Sequence, residues 1–160
     1  MYRIAVISDT HDNLPKITAA VKKFKELNVN FVIHAGDYIA PFSIPFFMEM
    51  GIAWQGVFGN NDGERRGLLA KSKGKIVEQP LELEIAGRKI IVVHEPENIK
   101  DEFYQRADLI IYGHTHYRDI RKERNVLVIN PGEGCGYLTG KAGFALVDLD
   151  KLTAEFVEID

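Results

Sequence analysis

The chain has 160 residues, 46% of them apolar, and its 20 basic and 23 acidic side chains give a formal net charge of −3. This length suits one domain, expected over residues 1–160, and the composition excludes disorder, while the absence of a long basic run excludes a tight non-specific nucleic-acid binder. Cys135 is the lone cysteine, no apolar stretch reaches membrane-spanning length, and the first strand begins at about Tyr2, so a soluble cytoplasmic protein without disulfide, leader or membrane contact is expected.

Ile4-Ala5-Val6-Ile7 predicts a buried strand running into Ser8-Asp9-Thr10-His11-Asp12-Asn13. Asp9 and His11 then emerge past its C-terminal end, the edge where open α/β sheets bind ligands. Residues 14–28 predict an amphipathic helix, with Asn13 as N-cap and Pro15 in its first turn. Phe31-Val32-Ile33 predicts a second strand leading to His34-Ala35-Gly36-Asp37. A right-handed crossover makes the two strands parallel, so Asp9 and Asp37 leave the same edge. Gly36 lets the backbone approach whatever Asp37 contacts. Pro41 to Met50 predicts a short helix burying Phe46, Phe47 and Met50. Its aromatic segment from Pro41 to Phe47 is open between a core role and a dimer surface in a homo-oligomer.

Residues 52–58 predict a third strand ending at Gly59-Asn60-Asn61-Asp62-Gly63, and 64–72 a short basic helix. Asp62 is expected to cap that helix, and Arg65 and Arg66 to be solvated. Leu81–Ile85 and Ile90–Val93 predict a hairpin around Gly87-Arg88, ending at His94-Glu95-Pro96. A helix is expected over Glu97–Tyr104. Leu109–Tyr112 predicts a strand entering Gly113-His114-Thr115-His116, and Val126–Ile129 one entering Asn130-Pro131-Gly132-Glu133. Phe144–Leu149 and Thr153–Val157 predict a closing hairpin. The pattern implies an α/β fold of two sheets packed face to face with helices outside.

Apolar runs thus end repeatedly in ligand-type residues: Asp9 and His11, Asp37, Asn60, His94, His114 and His116. Four of the chain's five histidines lie in these turns. Asp, Asn and His donors without cysteine argue against a closed structural zinc site and for a catalytic centre. Seven donors are too many for one transition metal and fit two that share a carboxylate.

The ordered series D-x-H, G-D, G-N-N-D, a strand-end His and G-H-x-H resembles the calcineurin-like metallophosphoesterase superfamily. Length and the Asn-Pro-Gly turn resemble its small prokaryotic, single-domain phosphodiesterase branch. The resemblance implies a four-layer sandwich of two mixed β-sheets flanked by helices. It implies that Asp9, His11 and His116 hold one divalent ion and Asn60, His94 and His114 a second, with Asp37 bridging both. Manganese is favoured among Mn, Ni, Co, Fe and Zn. Asp37, Asn60, Asn61 and His94 are the expected catalytic residues, acting on a small phosphodiester rather than on nucleic acid beyond nucleotides. Histidine ligands must be neutral, so metal affinity is expected to fall below a pH of about 6.5.

Three features depart from the family pattern. Asn61 stands where many members have a His that can protonate the leaving group; an amide cannot supply that proton. Glu95 and Pro96 follow His94 where Gly is usual, and Glu133 follows the Asn-Pro-Gly turn where Ser is common, leaving open whether either glutamate replaces a missing family group. Asn130 is read as a turn residue, His34 as a core histidine and Cys135 as incidental. The alternative function is a non-catalytic protein-interaction scaffold like the retromer subunit of the same fold. Loss of ligand residues would mark it, and every ligand position here is filled.

Overall fold

Alternation along the first strand decides the layering. In the computed structural model, which describes residues 1–160, β1 (Arg3–Ile7) turns Ile4 and Val6 one way and Ala5 and Ile7 the other. Ile4 and Val6 join a buried cluster with Ile33, Val57, Val92, Leu109, Ile111 and Ile129, the contact between two sheets. Ala5 and Ile7 join Val32, Trp54, Phe24 and Phe47 beneath the helices. Cutting a fully buried Phe24 to alanine would cost about 3–5 kcal/mol through lost transfer energy and the cavity left behind.

Chain order continues with α1 (Leu14–Glu26), β2 (Phe31–His34), a 3₁₀ turn at Pro41–Ser43, α2 (Ile44–Met48), β3 (Ala53–Val57), α3 (Arg65–Lys71) and β4 (Ile76–Val77). The second sheet begins with β5 (Leu81–Ile85) and β6 (Arg88–Val92). A 3₁₀ turn at Pro96–Asn98 and α4 (Phe103–Arg106) precede β7 (Leu109–Ile111), β8 (Arg118–Glu123) and β9 (Val126–Pro131). β10 (Gly143–Asp148) and β11 (Thr153–Glu158) return to the first sheet. The six-stranded sheet runs β11-β10-β1-β2-β3-β4 and the five-stranded sheet β5-β6-β7-β9-β8. Both are mixed: β1, β2, β3 and β4 are parallel, as are β6, β7 and β9, while the hairpin strands are antiparallel. Helices cover the outer faces, with Phe103 of α4 sealing Ile91, Ile110 and Val128. No helix is long and apolar enough to cross a membrane.

The expected architecture stands, with local corrections. Asn13 caps α1, its side chain accepting from the Lys16 backbone N–H. The helix expected over 97–104 breaks into two short pieces because Ile99 is extended and packs on the outer core. β8 carries little sequence signal because it is an edge strand, paired only with β9 and turning only Ile120 toward the core. Phe47 is fully buried, Phe46 only partly, and Phe42 points outward at 56% exposure.

Candidate metal centre

Parallel strands bring their C-terminal ends to one edge. From β1 come Asp9 and His11, from β2 Asp37, from β3 Asn60, from β6 His94, and from β7 His114 and His116. Asp9, His11, Asp37, His114 and His116 all have positive φ, between 40° and 69°. Non-glycine residues held in that region cost on the order of 1 kcal/mol or more each, and five of the chain's thirteen fall on these expected donors. Close backbone approach makes this crowding feasible: a Cβ on Gly36 would lie 2.6 Å from His94 Nδ1, and one on Gly113 would lie 2.1 Å from Ser8 Oγ.

One half of the centre is anionic and unsatisfied. Asp9 Oδ2 is held by Ser8 Oγ at 2.6 Å and by the His114 N–H at 3.0 Å. Its other oxygen, Oδ1, is buried without a hydrogen-bond partner, as is His11 Nε2. Oδ1 lies 3.7 Å from His11 Nε2 and 3.4 Å from His116 Nε2, and His11 Nε2 lies 3.3 Å from Asp37 Oδ2. Donors bound about 2.1 Å from one ion sit about 3.0–3.4 Å apart, so this spacing suits a shared divalent cation. The carboxylates of Asp37 and then Asp9 hold the His11 ring charged, pushing its pKa up to about 9. Burial works against the ionised Asp37, yet His11, His94 and Asn61 hold it well below the usual carboxylate range.

The other half is neutral and centred on an amide. Asn60 Oδ1 lies 2.9 Å from His94 Nε2 and 3.0 Å from His114 Nδ1. His94 Nδ1 donates to the Ala35 carbonyl at 2.7 Å, which turns Nε2 toward the amide oxygen. Three such atoms, the two ring nitrogens each about 3 Å from the amide oxygen, can share a divalent cation. Asp37 reaches this half through Oδ1, 3.5 Å from His94 Nε2, and so spans both. Glu95 places a carboxylate oxygen within 4.8 Å of both histidines, but it accepts from Gln79 Nε2 at 2.6 Å and Asn98 Nδ2 at 3.0 Å.

All seven expected donors therefore converge, and the supporting residues differ from expectation. Asp62 caps no helix. Its buried carboxylate accepts from the N–H groups of Asp37, Ile39 and Gly59 at 2.7–2.9 Å, locking two ligand turns together. Burial pushes its pKa up despite these donors. Asn61 donates its backbone N–H to Asp37 Oδ1 at 2.9 Å and its side-chain amide to Oδ2 at 2.8 Å, holding the shared carboxylate. Arg65 is not merely solvated: it pairs with Glu78 and lies over the Phe58 ring.

His34 accepts from the Gly36 N–H at Nδ1, lies 3.0 Å from Thr10 Oγ1 through Nε2, and stacks on Tyr38. Burial keeps its pKa well below the usual histidine value, so it is a neutral core residue. Asn130 spans two turns, donating to the Gly113 carbonyl and Thr115 Oγ1 and accepting from the Gly132 N–H. Glu133, unassigned by sequence, meets His116 Nδ1 at 2.5 Å. Burial opposes its ionisation, but His116, Thr139 and Leu138 hold its pKa at about 2. Burial pushes the Cys135 thiol up to about 12, in keeping with an incidental role.

The sequence profile of the calcineurin-like phosphoesterase superfamily domain matches residues 2–152. This chain belongs to that superfamily. Among the members it resembles is the phosphodiesterase MJ0936 of Methanocaldococcus jannaschii, 39% identical over 159 residues, covering 93% of this chain and 94% of that protein. A solved archaeal phosphodiesterase superposes with a TM-score of 0.89 at 36% identity, covering 98% of this chain and 99% of the other. Vps29 of Chaetomium thermophilum shares the fold at a TM-score of 0.71 and 15% identity, covering 98% of this chain and 94% of that one. At that identity the likeness shows the fold alone. As a member of this superfamily, the chain is a metal-dependent phosphoesterase whose donor set suits the metals.

Proposed function

We propose that the protein hydrolyses small phosphodiesters with two divalent ions, one held by Asp9, His11 and His116, the other by Asn60, His94 and His114, and both by Asp37. The observation that carries this reading is the pair of buried, unpartnered atoms, Asp9 Oδ1 and His11 Nε2, facing His116 and Asp37. The phosphodiesterase relatives support the substrate class. When bound, such ions lower the pKa of a nearby water and neutralise charge on phosphoryl oxygens. A mixed nitrogen and oxygen donor set accepts Mn, Ni, Co, Fe or Zn, and availability rather than affinity makes manganese the first choice. A buried lone Cys135 and a net charge of −3 support a cytoplasmic enzyme that acts on nucleotides or smaller esters rather than polymers.

The chain's own groups do the orienting. His94 is fixed by the Ala35 carbonyl, Asp37 by Asn61, and the turns carrying Asp37 and Asn60 by Asp62. None of these groups offers a proton to a departing alcohol, so diesters with good leaving groups, aryl or strained cyclic, are the preferred substrates.

The test is hydrolysis of a bis-aryl phosphodiester by chelator-stripped protein with and without Mn²⁺, with Asp37→Asn alongside. Turnover restored by metal, and reduced about 10³-fold or more in the variant, supports the reading. Metal-independent turnover, or none with any of the five metals from folded protein, overturns it.

A further inference from the structure

One buried carboxylate beside the centre belongs to neither ligand group. Glu133 is 1% exposed and follows the end of β9. Its Oε2 meets His116 Nδ1 at 2.5 Å and accepts weakly from Cys135 Sγ at 3.6 Å. Its Oε1 accepts from the Thr139 N–H at 2.7 Å, Thr139 Oγ1 at 2.8 Å and the Leu138 N–H at 3.0 Å. The same residue lines a cavity of about 310 Å³ with His116, Tyr117, Arg118, Thr139 and Lys141. We infer that Glu133 is a positioning residue that holds the His116 proton on Nδ1, leaving the Nε2 lone pair aimed at Asp9 Oδ1, while anchoring the Thr139 wall of this cavity.

The inference rests on the metal reading above, because only a ligand needs that tautomer. The hydrogen bond at one ring nitrogen decides which nitrogen can ligate. A loop anchor alone would need no contact with His116, since Oε1 already meets every Leu138 and Thr139 donor, the Leu138 N–H reaching Oε2 only as a second, longer contact at 3.2 Å. His94 shows the contrast: a backbone carbonyl, from Ala35, does the same work in the other half. A side-chain carboxylate is the stronger acceptor and ties the ligand to a loop that walls the adjoining cavity.

The experiment titrates chelator-stripped protein with Co²⁺, by calorimetry and visible absorption, for wild type, Glu133→Gln and Thr139→Val. Wild type takes two equivalents. Glu133→Gln is expected to weaken one of them about 10–100-fold and leave the other unchanged. Thr139→Val, which loosens the loop but spares the His116 contact, is expected to keep both affinities. Wild-type affinities in folded Glu133→Gln, or equal weakening in Thr139→Val, would overturn the inference. Ring-nitrogen NMR of metal-free wild type needs no variant: a proton on Nδ1 of His116, with or without a second on Nε2 and assigned through its loss in His116→Gln, supports the role, and a ring protonated on Nε2 alone defeats it. Failure of the metal reading itself looks different, since wild type would then take up no Co²⁺.

Discussion

The two halves of the centre come from the same kind of strand-end turn and differ in what they leave unpaired. Around Asp9, His11 and His116 there is a private carboxylate, two orphaned atoms and a second carboxylate behind the histidine. Around Asn60, His94 and His114 the donors are neutral, converge on one amide oxygen, and are backed by a carbonyl. Asp37 is the carboxylate that reaches the second half most closely, 3.5 Å from His94 Nε2, whereas Glu95 turns Oε2 to Gln79 and Asn98. Carboxylate donors bind cations more strongly than amides, so the halves should fill in order: the anionic one tightly, the amide-centred one loosely. Two ions of the same element would then have different exchange rates, and the loosely held one would set the metal concentration needed for turnover.

Removing the private charge should break this difference most. Asp9→Asn is expected to weaken the tighter Co²⁺ equivalent by about 10²–10³-fold, reversing the order of filling in a calorimetric titration. If the looser equivalent suffers instead, the assignment of Asp9 to the anionic half is wrong.

Acidity should act on one half first. The carboxylates hold a proton on His11 with a pKa of about 9, and a cation must displace it. Apparent affinity of the tighter ion should therefore rise about tenfold per pH unit up to about 9, higher than the 6.5 expected from an unperturbed histidine. In the metal-free chain the same raised pKa stabilises the fold fully below about pH 6.5 and is lost as pH climbs through 9. Melting curves with chelator should fall across that window, and proton release on Co²⁺ binding at pH 7.5 should be close to one for the first equivalent.

Adding charge to the neutral half should narrow the difference. Asn60→Asp is expected to tighten the looser equivalent about tenfold, from roughly 1–2 kcal/mol of screened attraction, as read by competition with a chelator. Unchanged affinity would place Asn60 outside the donor set.

Legibility in the sequence followed the same division. The convergence of the candidate donors was legible because each follows a buried apolar run, and parallel strands carry such ends to one edge. Asp9 through His116 could be named without knowing any distance between them. What held the ligands was hidden, since Asp62, Asn61 and Glu133 act across 17–25 residues of chain through turns whose pairing no local pattern encodes. Asp62 looked like a helix cap because its neighbours in sequence are helical, whereas its partners lie after β2 and β3. Glu133 did give a signal, as an acidic residue in the turn that ends an apolar strand. β8 was silent for another reason: an edge strand with one inward side chain has too little alternation to register.

The smallest expected effect concerns the leaving group. Asn61 spends both its backbone N–H and its side-chain amide on Asp37, so it supports the shared carboxylate rather than standing ready for a departing alcohol. Asn61→His would keep the backbone bond and put a proton donor at the rim, where residue 61 is exposed. General-acid help is worth about 10²–10⁴-fold when fully realised and matters most for poor leaving groups. Losing the amide on Asp37 offsets part of it. The net expectation is a rise in the alkyl-to-aryl diester rate ratio of about tenfold, with the aryl rate itself little changed. A ratio that stays fixed while both rates fall would mean that the amide's hold on Asp37, rather than the missing proton, limits this centre.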